Sequence, residues 1–472
     1  MPGKRLLLTL ALTVLTALPA LAATEVKMAG DARIYGLFFA NRNFTGRETW
    51  NGAKEERFSI WQRMRLRTDF VANESVKFRL GLTVEEDSWG HGYLTAANPQ
   101  TAVMPYLAYL QFKWPQTDIE ITAGLQPVSM PQASGFCDSI VLAADDGDQS
   151  SAALVLAAPL YEDAVSLQLA YARLFAANQS FRTVATNNQD GNFDVYHLSV
   201  PVKLDGFEVT PWGLAGVIGK NRATSDFLAA NSGSAESFAN GYRYNQNLMW
   251  WTGLALNVDA LDPVKLSFDA IYGEAAPNDR SSSRRRGYFF DGGVSYTGFD
   301  WMVPGLFGWV ASGEDGSIRN GSERLPVLLP KWGPGTSFLF DCDQDFSGNN
   351  MMIDPTGTWG LMASLRDISF VDQLTSRVSF GFVAGTNNRA GLRKAYATAG
   401  DDYVKMGRNL ALGEWALGVS IDHSYEVYEN LTLNLQTGFA SPQGLKTSVW
   451  GHENTELAKD AWMVALGMLY TF

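Results

Sequence analysis

Phe58-Ser59-Ile60-Trp61-Gln62-Arg63-Met64-Arg65-Leu66-Arg67-Thr68-Asp69-Phe70 alternates with a period of two. Its even positions (Phe58, Ile60, Gln62, Met64, Leu66, Thr68, Phe70) are mostly apolar, and its odd positions include Arg63, Arg65, Arg67 and Asp69. Successive strand side chains point to opposite faces, so this is a two-faced β-strand, greasy on one side and charged on the other. The next stretch repeats the pattern, with Val76, Phe78, Leu80, Leu82 and Val84 against Lys77, Arg79, Thr83 and Glu85.

The two segments set their own register, because a slip of one residue would invert every side chain. Pairing Phe70 with Phe78, Leu66 with Leu82 and Met64 with Val84 predicts a three-residue turn at Asn73-Glu74-Ser75; an even-parity register with a longer turn is the alternative, and a two-residue turn is excluded if both faces are assigned correctly. Asp69 then faces Arg79, and Arg63 faces Glu85.

Working outward, similar segments recur at Tyr106 to Trp114, Val165 to Tyr171, Trp250 to Val258, Val264 to Tyr272, Trp415 to Ile421 and Leu431 to Phe439. Short turns at 115–118, 205–206, 297–300 and 429–430 are each followed by a much longer polar stretch, the longest at 219–246, 313–355 and 387–410. Trp89, Trp114, Trp301, Trp332, Tyr428 and Trp450 sit at strand ends. A soluble sandwich or propeller would not explain long and short connections in rotation. A membrane barrel does, and aromatic girdles are expected where its wall meets the two interfaces. The expected fold is all-β: a transmembrane antiparallel β-barrel of about 18 strands, with 16 as the alternative because 151–158 and 207–217 are weak strand signals.

Composition agrees. Aromatic residues are 12% of the 472 and glycines number 45, while a mean hydropathy of −0.09 is too polar for a helical membrane protein. Lys4 and Arg5 open a leader with an apolar core at 6–18 and an Ala20-Leu21-Ala22 cleavage site. Residues 1–22 are therefore read as a signal peptide and 23–472 as the barrel domain. The net charge of −12 becomes more negative once Lys4 and Arg5 leave, which argues against a nucleic-acid partner. Cys137 and Cys342, the two cysteines, would sit in an oxidising compartment, where they could pair or remain two free thiols.

The last segment alternates Trp462, Val464, Leu466, Met468, Tyr470 and Phe472 against Ala461, Ala465, Gly467 and Thr471. It resembles the closing strand of outer-membrane porins, which ends on an aromatic residue and is recognised by the barrel-assembly machinery. With the start Met28-Ala29-Gly30-Asp31-Ala32-Arg33-Ile34-Tyr35-Gly36 and the stretch Ala123-Gly124-Leu125-Gln126-Pro127-Val128, the chain resembles the homotrimeric outer-membrane porin family of sulfate-reducing bacteria. That resemblance implies passive diffusion of small hydrophilic solutes through three parallel pores, in contact with outer-membrane lipid and lipopolysaccharide. In general porins the third long loop folds inward across from a basic wall. The matching loop here, 127–150, carries Asp138, Asp145, Asp146 and Asp148. The opposing wall would be Arg63, Arg65, Arg67, Lys77 and Arg79, cations that only a water-filled lumen could screen. Acid across from base would give a transverse field that orients dipolar solutes. An ordinary solvated face, partly neutralised by Asp69 and Glu85, is the plainer reading of the same residues.

Other chemistry is thinly represented, and no cofactor, metal or catalytic residue is expected. Asp341, Asp343 and Asp345 start like a calcium loop, but Phe346 stands where that loop needs glycine and Met352 where it needs glutamate. His91, His197, His423 and His452 lack metal-ligand spacing. Arg284, Arg285 and Arg286 read as an exposed loop cluster. A substrate-selective channel is the near alternative, and a hydrolase assembled on a barrel the distant one.

Overall fold

A computed structural model describes residues 24–472, apart from 43, 46–56, 91–93, 145–149, 163, 176–192, 219–247, 277–280, 282–283, 318, 335–337, 341–345, 347–350 and 400–403. The leader at 1–22 thus lies outside the described residues. Eighteen antiparallel strands follow one another around a closed sheet. They are β1 (Glu25–Ala40), β2 (Arg57–Asn73), β3 (Val76–Ser88), β4 (Val103–Lys113), β5 (Glu120–Gln126), β6 (Ser151–Tyr161), β7 (Val165–Phe175), β8 (Phe193–Ser199, continued by Val202–Leu204), β9 (Phe207–Ile218), β10 (Leu248–Val258), β11 (Val264–Ala275), β12 (Arg285–Tyr296), β13 (Val303–Ala311), β14 (Thr358–Val371), β15 (Leu374–Gly385), β16 (Trp415–Tyr428), β17 (Leu431–Gln443) and β18 (Ala461–Thr471). β8 is interrupted at Val200-Pro201, as expected where a proline cannot donate to the ladder. Both weak sequence segments are full strands, β6 and β9, which settles the count at eighteen rather than sixteen.

Closure joins the two ends of the sheet. β1 pairs with β18 from Asp31↔Thr471 to Ala40↔Trp462. Gly30 and Phe472 then exchange both backbone hydrogen bonds, at 2.8 and 3.0 Å. A Cβ at Gly30 would lie 2.5 Å from the Phe472 ring, so glycine is needed for this approach.

The burial pattern is that of a membrane wall. On β18 the large residues Trp462, Val464, Leu466, Met468 and Tyr470 are exposed, whereas Ala461, Met463 and Ala465 are buried; Leu466 is 58% exposed beside Ala465 at 0%. The same outward set continues through Met64, Phe78, Leu154, Leu306, Leu361 and Phe380. A continuous apolar outer face of this size is stable against lipid, not water.

The β2–β3 ladder follows the expected register from Phe70↔Phe78 to Met64↔Val84, with Asp69 opposite Arg79. It departs from expectation at both ends. Asn73 pairs with Val76, so the turn is only Glu74 and Ser75, and an extra residue at Ala72 restores the parity that a two-residue turn would break. Beyond Met64 the ladder resumes at Gln62↔Asp87, so it does not pair Arg63 with Glu85. The Asp205-Gly206 turn holds, with Gly206 at φ +72° as a tight hairpin requires.

Short helices stand on the long-loop side: α1 (Arg389–Ala399), α2 (Thr447–Trp450) and α3 (His452–Glu456). They pack through Tyr396 and Trp450, whose rings meet edge-on at 5.4 Å. Trp450 is therefore buried, as is Trp332 inside the barrel. Trp89, Trp114, Trp301 and Tyr428 remain as exposed girdle residues.

Candidate functional site

A row of arginines runs along the inner face of β1–β3. Arg33 and Arg63 are direct cross-strand neighbours, Arg65 stands opposite Asp31, and Arg67 opposite Ala29. Each is placed by the alternation that puts Met64 and Leu66 outward. Arg33 donates to Glu86 at 2.8 Å, and the Tyr35 hydroxyl donates to the other Glu86 oxygen at 2.7 Å. Arg63 stands 3.5 Å from Asp31. Arg79 grips Asp69 through two hydrogen bonds of 2.6 Å and lies over the Tyr109 ring, 5.8 Å from its centroid. Arg67 is exposed and Lys77 half-buried. The wall expected from Arg63, Arg65, Arg67, Lys77 and Arg79 thus shares one face, and Arg33 joins it.

Tyr106 corrects its sequence assignment. A bulge between Gly81↔Leu107 and Leu82↔Pro105 leaves Tyr106 as the extra residue, and its ring turns over Gly81, where a Cβ would approach within 2.8 Å. There it meets Arg65, whose guanidinium lies 5.4 Å from the ring centroid. Alternation alone would set Tyr106 on the greasy face with Ala108, Leu110, Phe112 and Trp114.

Two connections form one body against the opposite inner wall. In the loop after β5, Val128–Ser129 pairs with Ala143–Ala144. In the loop after β13, Leu328 N donates to Val141 O at 2.8 Å, Ala143 N to Leu329 O at 2.8 Å, and Lys331 N to Ser139 O at 2.9 Å. Lys331 pairs with Asp138 at 3.0 Å, and the Phe136 and Trp332 rings stack at 5.6 Å. Cys137, whose N–H donates to Gly333 O, is disulfide-bonded. The other cysteine, Cys342, lies outside the described residues, as do Asp145, Asp146, Asp148, Asp341, Asp343 and Asp345.

This body is anchored to buried carboxylates on the wall. Asp269 of β11 and Asp291 of β12 are direct cross-strand partners, 0% and 3% exposed. The Gln132 amide bridges them at 2.5 and 3.0 Å, Ala133 N donates to Asp269 at 3.0 Å, and the Trp332 indole donates to Asp291 at 2.7 Å. Further round, Phe338 N donates to Ser420 Oγ at 2.6 Å, and Phe346 stacks on Tyr35 at 4.5 Å. The wall is carved to receive the loop. A Cβ at Gly438 would stand 2.3 Å from Phe338, and one at Gly418 2.5 Å from Leu339.

By its sequence, 313–355 is expected to be a polar connection. In the structure Leu325, Val327, Leu328, Trp332, Phe338, Leu339 and Phe340 from this stretch are buried in the main apolar cluster. The signal was available: an apolar run of this density inside a long loop must be covered by something. Asp269 and Asp291 were also missed, although each is a lone acid at inward parity. The Arg284–Arg286 cluster is not simply exposed, because Arg285 is buried with its Nε on the carbonyls of Arg324 and Leu325, and Arg284 pairs with Glu274 at 2.8 Å. His423 bonds Ser376 at 2.8 Å on the outward face, and no carboxylate completes that pair among the described residues.

No protein-family model matches the chain, and no curated protein does. Solved structures do match. OccD3 (OpdP) of Pseudomonas aeruginosa superposes with a TM-score of 0.54 at 12% identity, over 95% of this chain and 91% of that one. These neighbours are Occ-type outer-membrane porins. The fold is the one they share. OccK8 (OprE) of the same organism gives 0.51 at 12% identity over 95% and 98% of the two chains, and OccAB2 of Acinetobacter baumannii gives 0.51 at 11% over 96% and 99%.

Proposed function

We propose that this chain is an outer-membrane porin, a water-filled channel for passive diffusion of ions and small hydrophilic solutes. The carrying observation is a closed barrel, apolar on its outer face, whose inner wall lines up Arg33, Arg63, Arg65 and Arg67. Guanidiniums set side by side on one wall repel one another unless water in the lumen or a passing anion screens them. The two-loop body is the constriction, set against β10–β13 and reaching round to β1. Asp138 is neutralised within it by Lys331, so the basic side of the transverse field is the better defined one.

The same proposal includes export through a cleaved leader, recognition of the strand ending at Phe472 by the barrel-assembly machinery, seating in lipid and lipopolysaccharide, and a homotrimer akin to those of sulfate-reducing bacteria. It also pairs Cys137 with Cys342. Purified protein in planar bilayers should give discrete ohmic steps whose reversal potential in a salt gradient shifts toward cations when Arg65 and Arg67 are replaced by Ala. Unchanged selectivity would remove the arginine wall from the account.

A substrate-selective channel is the second reading. It is favoured by the apolar body that the two loops build against the inner wall, with Val141, Leu142, Leu325, Val327, Leu328 and Trp332 in one buried cluster. Liposome swelling with neutral sugars of graded size separates the two: a general pore admits them by size alone, a selective one excludes even small ones.

A further inference from the structure

The connection after β13 opens with Ser312-Gly313-Glu314-Asp315-Gly316-Ser317 and doubles back through Asn320-Gly321-Ser322-Glu323. The return is fixed by backbone pairing: Ser322 N donates to Arg284 O at 2.9 Å, and Arg286 N to Ser322 O at 3.0 Å. Gly321 allows it, with φ +103° and no room for a Cβ against Arg284 O. The turn brings three acids together. One carboxylate oxygen from each of Glu314, Asp315 and Glu323 lies within 4.8 Å of the others, with Glu314 buried, Glu323 half-buried and Asp315 exposed.

None of these carboxylates is in an ion pair among the described residues. The cations around them are engaged elsewhere. Arg324 is held by Asp354, Arg285 donates to backbone carbonyls, and Lys394 donates to Gly316 O at 3.0 Å. Arg286 stands near Glu323 without pairing to it. Glu314 is 5% exposed; its Oε2 accepts one bond, from Ser322 Oγ at 2.6 Å, and its buried Oε1 accepts none. Burial pushes the Glu314 carboxyl up to about 7, and burial raises that of Glu323 as well. Burial is the largest cause in both, offset in part by Arg324 and Arg285 near Glu314 and by Arg286 near Glu323.

We propose that Glu314, Asp315 and Glu323 bind a calcium ion that pins this loop to the barrel rim. The donors are all oxygen, the preference of a hard divalent cation. Calcium, with contacts of about 2.3–2.6 Å and flexible geometry, accepts three carboxylates from an irregular loop, whereas magnesium demands near-octahedral geometry at about 2.0–2.1 Å and keeps several waters. The site staples three connections at once. Ser322 lies on the start of β12, Glu314 N donates to Asn387 Oδ1 at 3.0 Å, and Asn388 N donates to Glu314 O at 2.7 Å.

The test is calorimetric titration of the EDTA-stripped, detergent-solubilised full chain with calcium chloride. About one ion per chain is expected, bound more tightly than magnesium. Asp315→Asn and Glu323→Gln should each weaken calcium at least tenfold while keeping heat-modifiable migration, and Asp372→Asn on the short-turn side should leave it unchanged. No stoichiometric calcium, tighter magnesium, or undiminished binding in both site variants would overturn the proposal.

Discussion

The Trp332 indole, carried by the loop after β13, donates to the Asp291 carboxylate on the β12 wall at 2.7 Å. Asp291 is also bridged to Asp269 by Gln132, which comes from the loop after β5. Two loops that are far apart in sequence therefore share one buried anchor. Trp332→Phe keeps an aromatic ring in the Phe136 stack and removes only the donor. It should cost about 1–3 kcal/mol of loop anchoring and raise open-channel noise or conductance in bilayer recordings. An unchanged trace would mean the anchor does not hold the constriction.

The glycine trough makes a separate prediction. Gly438→Val places atoms where Phe338 now lies, 2.3 Å from the Cβ site. The barrel itself should survive, because the ladder on either side is intact, but the loop must leave its seat. Larger sugars should then enter in liposome swelling, with heat-modifiable migration retained. Loss of the barrel would show that the loop is required for folding.

Breaking one partner of a buried pair strands the other. Arg33 and Glu86 are both largely buried and 2.8 Å apart. Arg33→Met should lower the thermal unfolding midpoint, by about 3–5 kcal/mol of stability at most, and Glu86→Gln in the same chain should recover much of the loss. Equal stability of the single and double variants would contradict the pairing.

The barrel, the middle of the β2–β3 register and the closing strand ending at Phe472 were legible because a barrel wall has one rule, outward apolar and inward polar, written with period two. The wall arginines on β2 and β3 followed from it. Arg33 escaped notice because Asp31, Arg33 and Tyr35 stand on a strand whose outward side, Gly30-Ala32-Ile34-Gly36, is too small to advertise its alternation. The interior body was illegible for a different reason. Leu325 to Leu329 and Phe338 to Phe340 have no strand or helix period, and the wall positions that seat Phe338, Leu339 and Trp332 are Gly438, Gly418 and Asp291, all distant in sequence. Bulges at Ala72 and Tyr106 also defeat parity, since one extra residue reverses a face.

Calcium at Glu314 should depend on pH in a stated direction. Its carboxyl is pushed up to about 7 by burial, so protons compete with the ion as pH falls through that value. Without calcium, the raised value means the charged form burdens the folded loop fully above about pH 7 and progressively less below it. Calcium affinity should therefore fall between pH 8 and pH 6. An affinity constant over that window would remove Glu314 from the site.

The most direct measurement is single-channel recording of the purified chain in planar bilayers, with reversal potentials taken in a salt gradient for the native protein and for the Arg65→Ala, Arg67→Ala double variant. The account predicts discrete ohmic conductance steps and a selectivity shifted toward cations in the variant. A correctly folded, heat-modifiable barrel that inserts but conducts no current would contradict it.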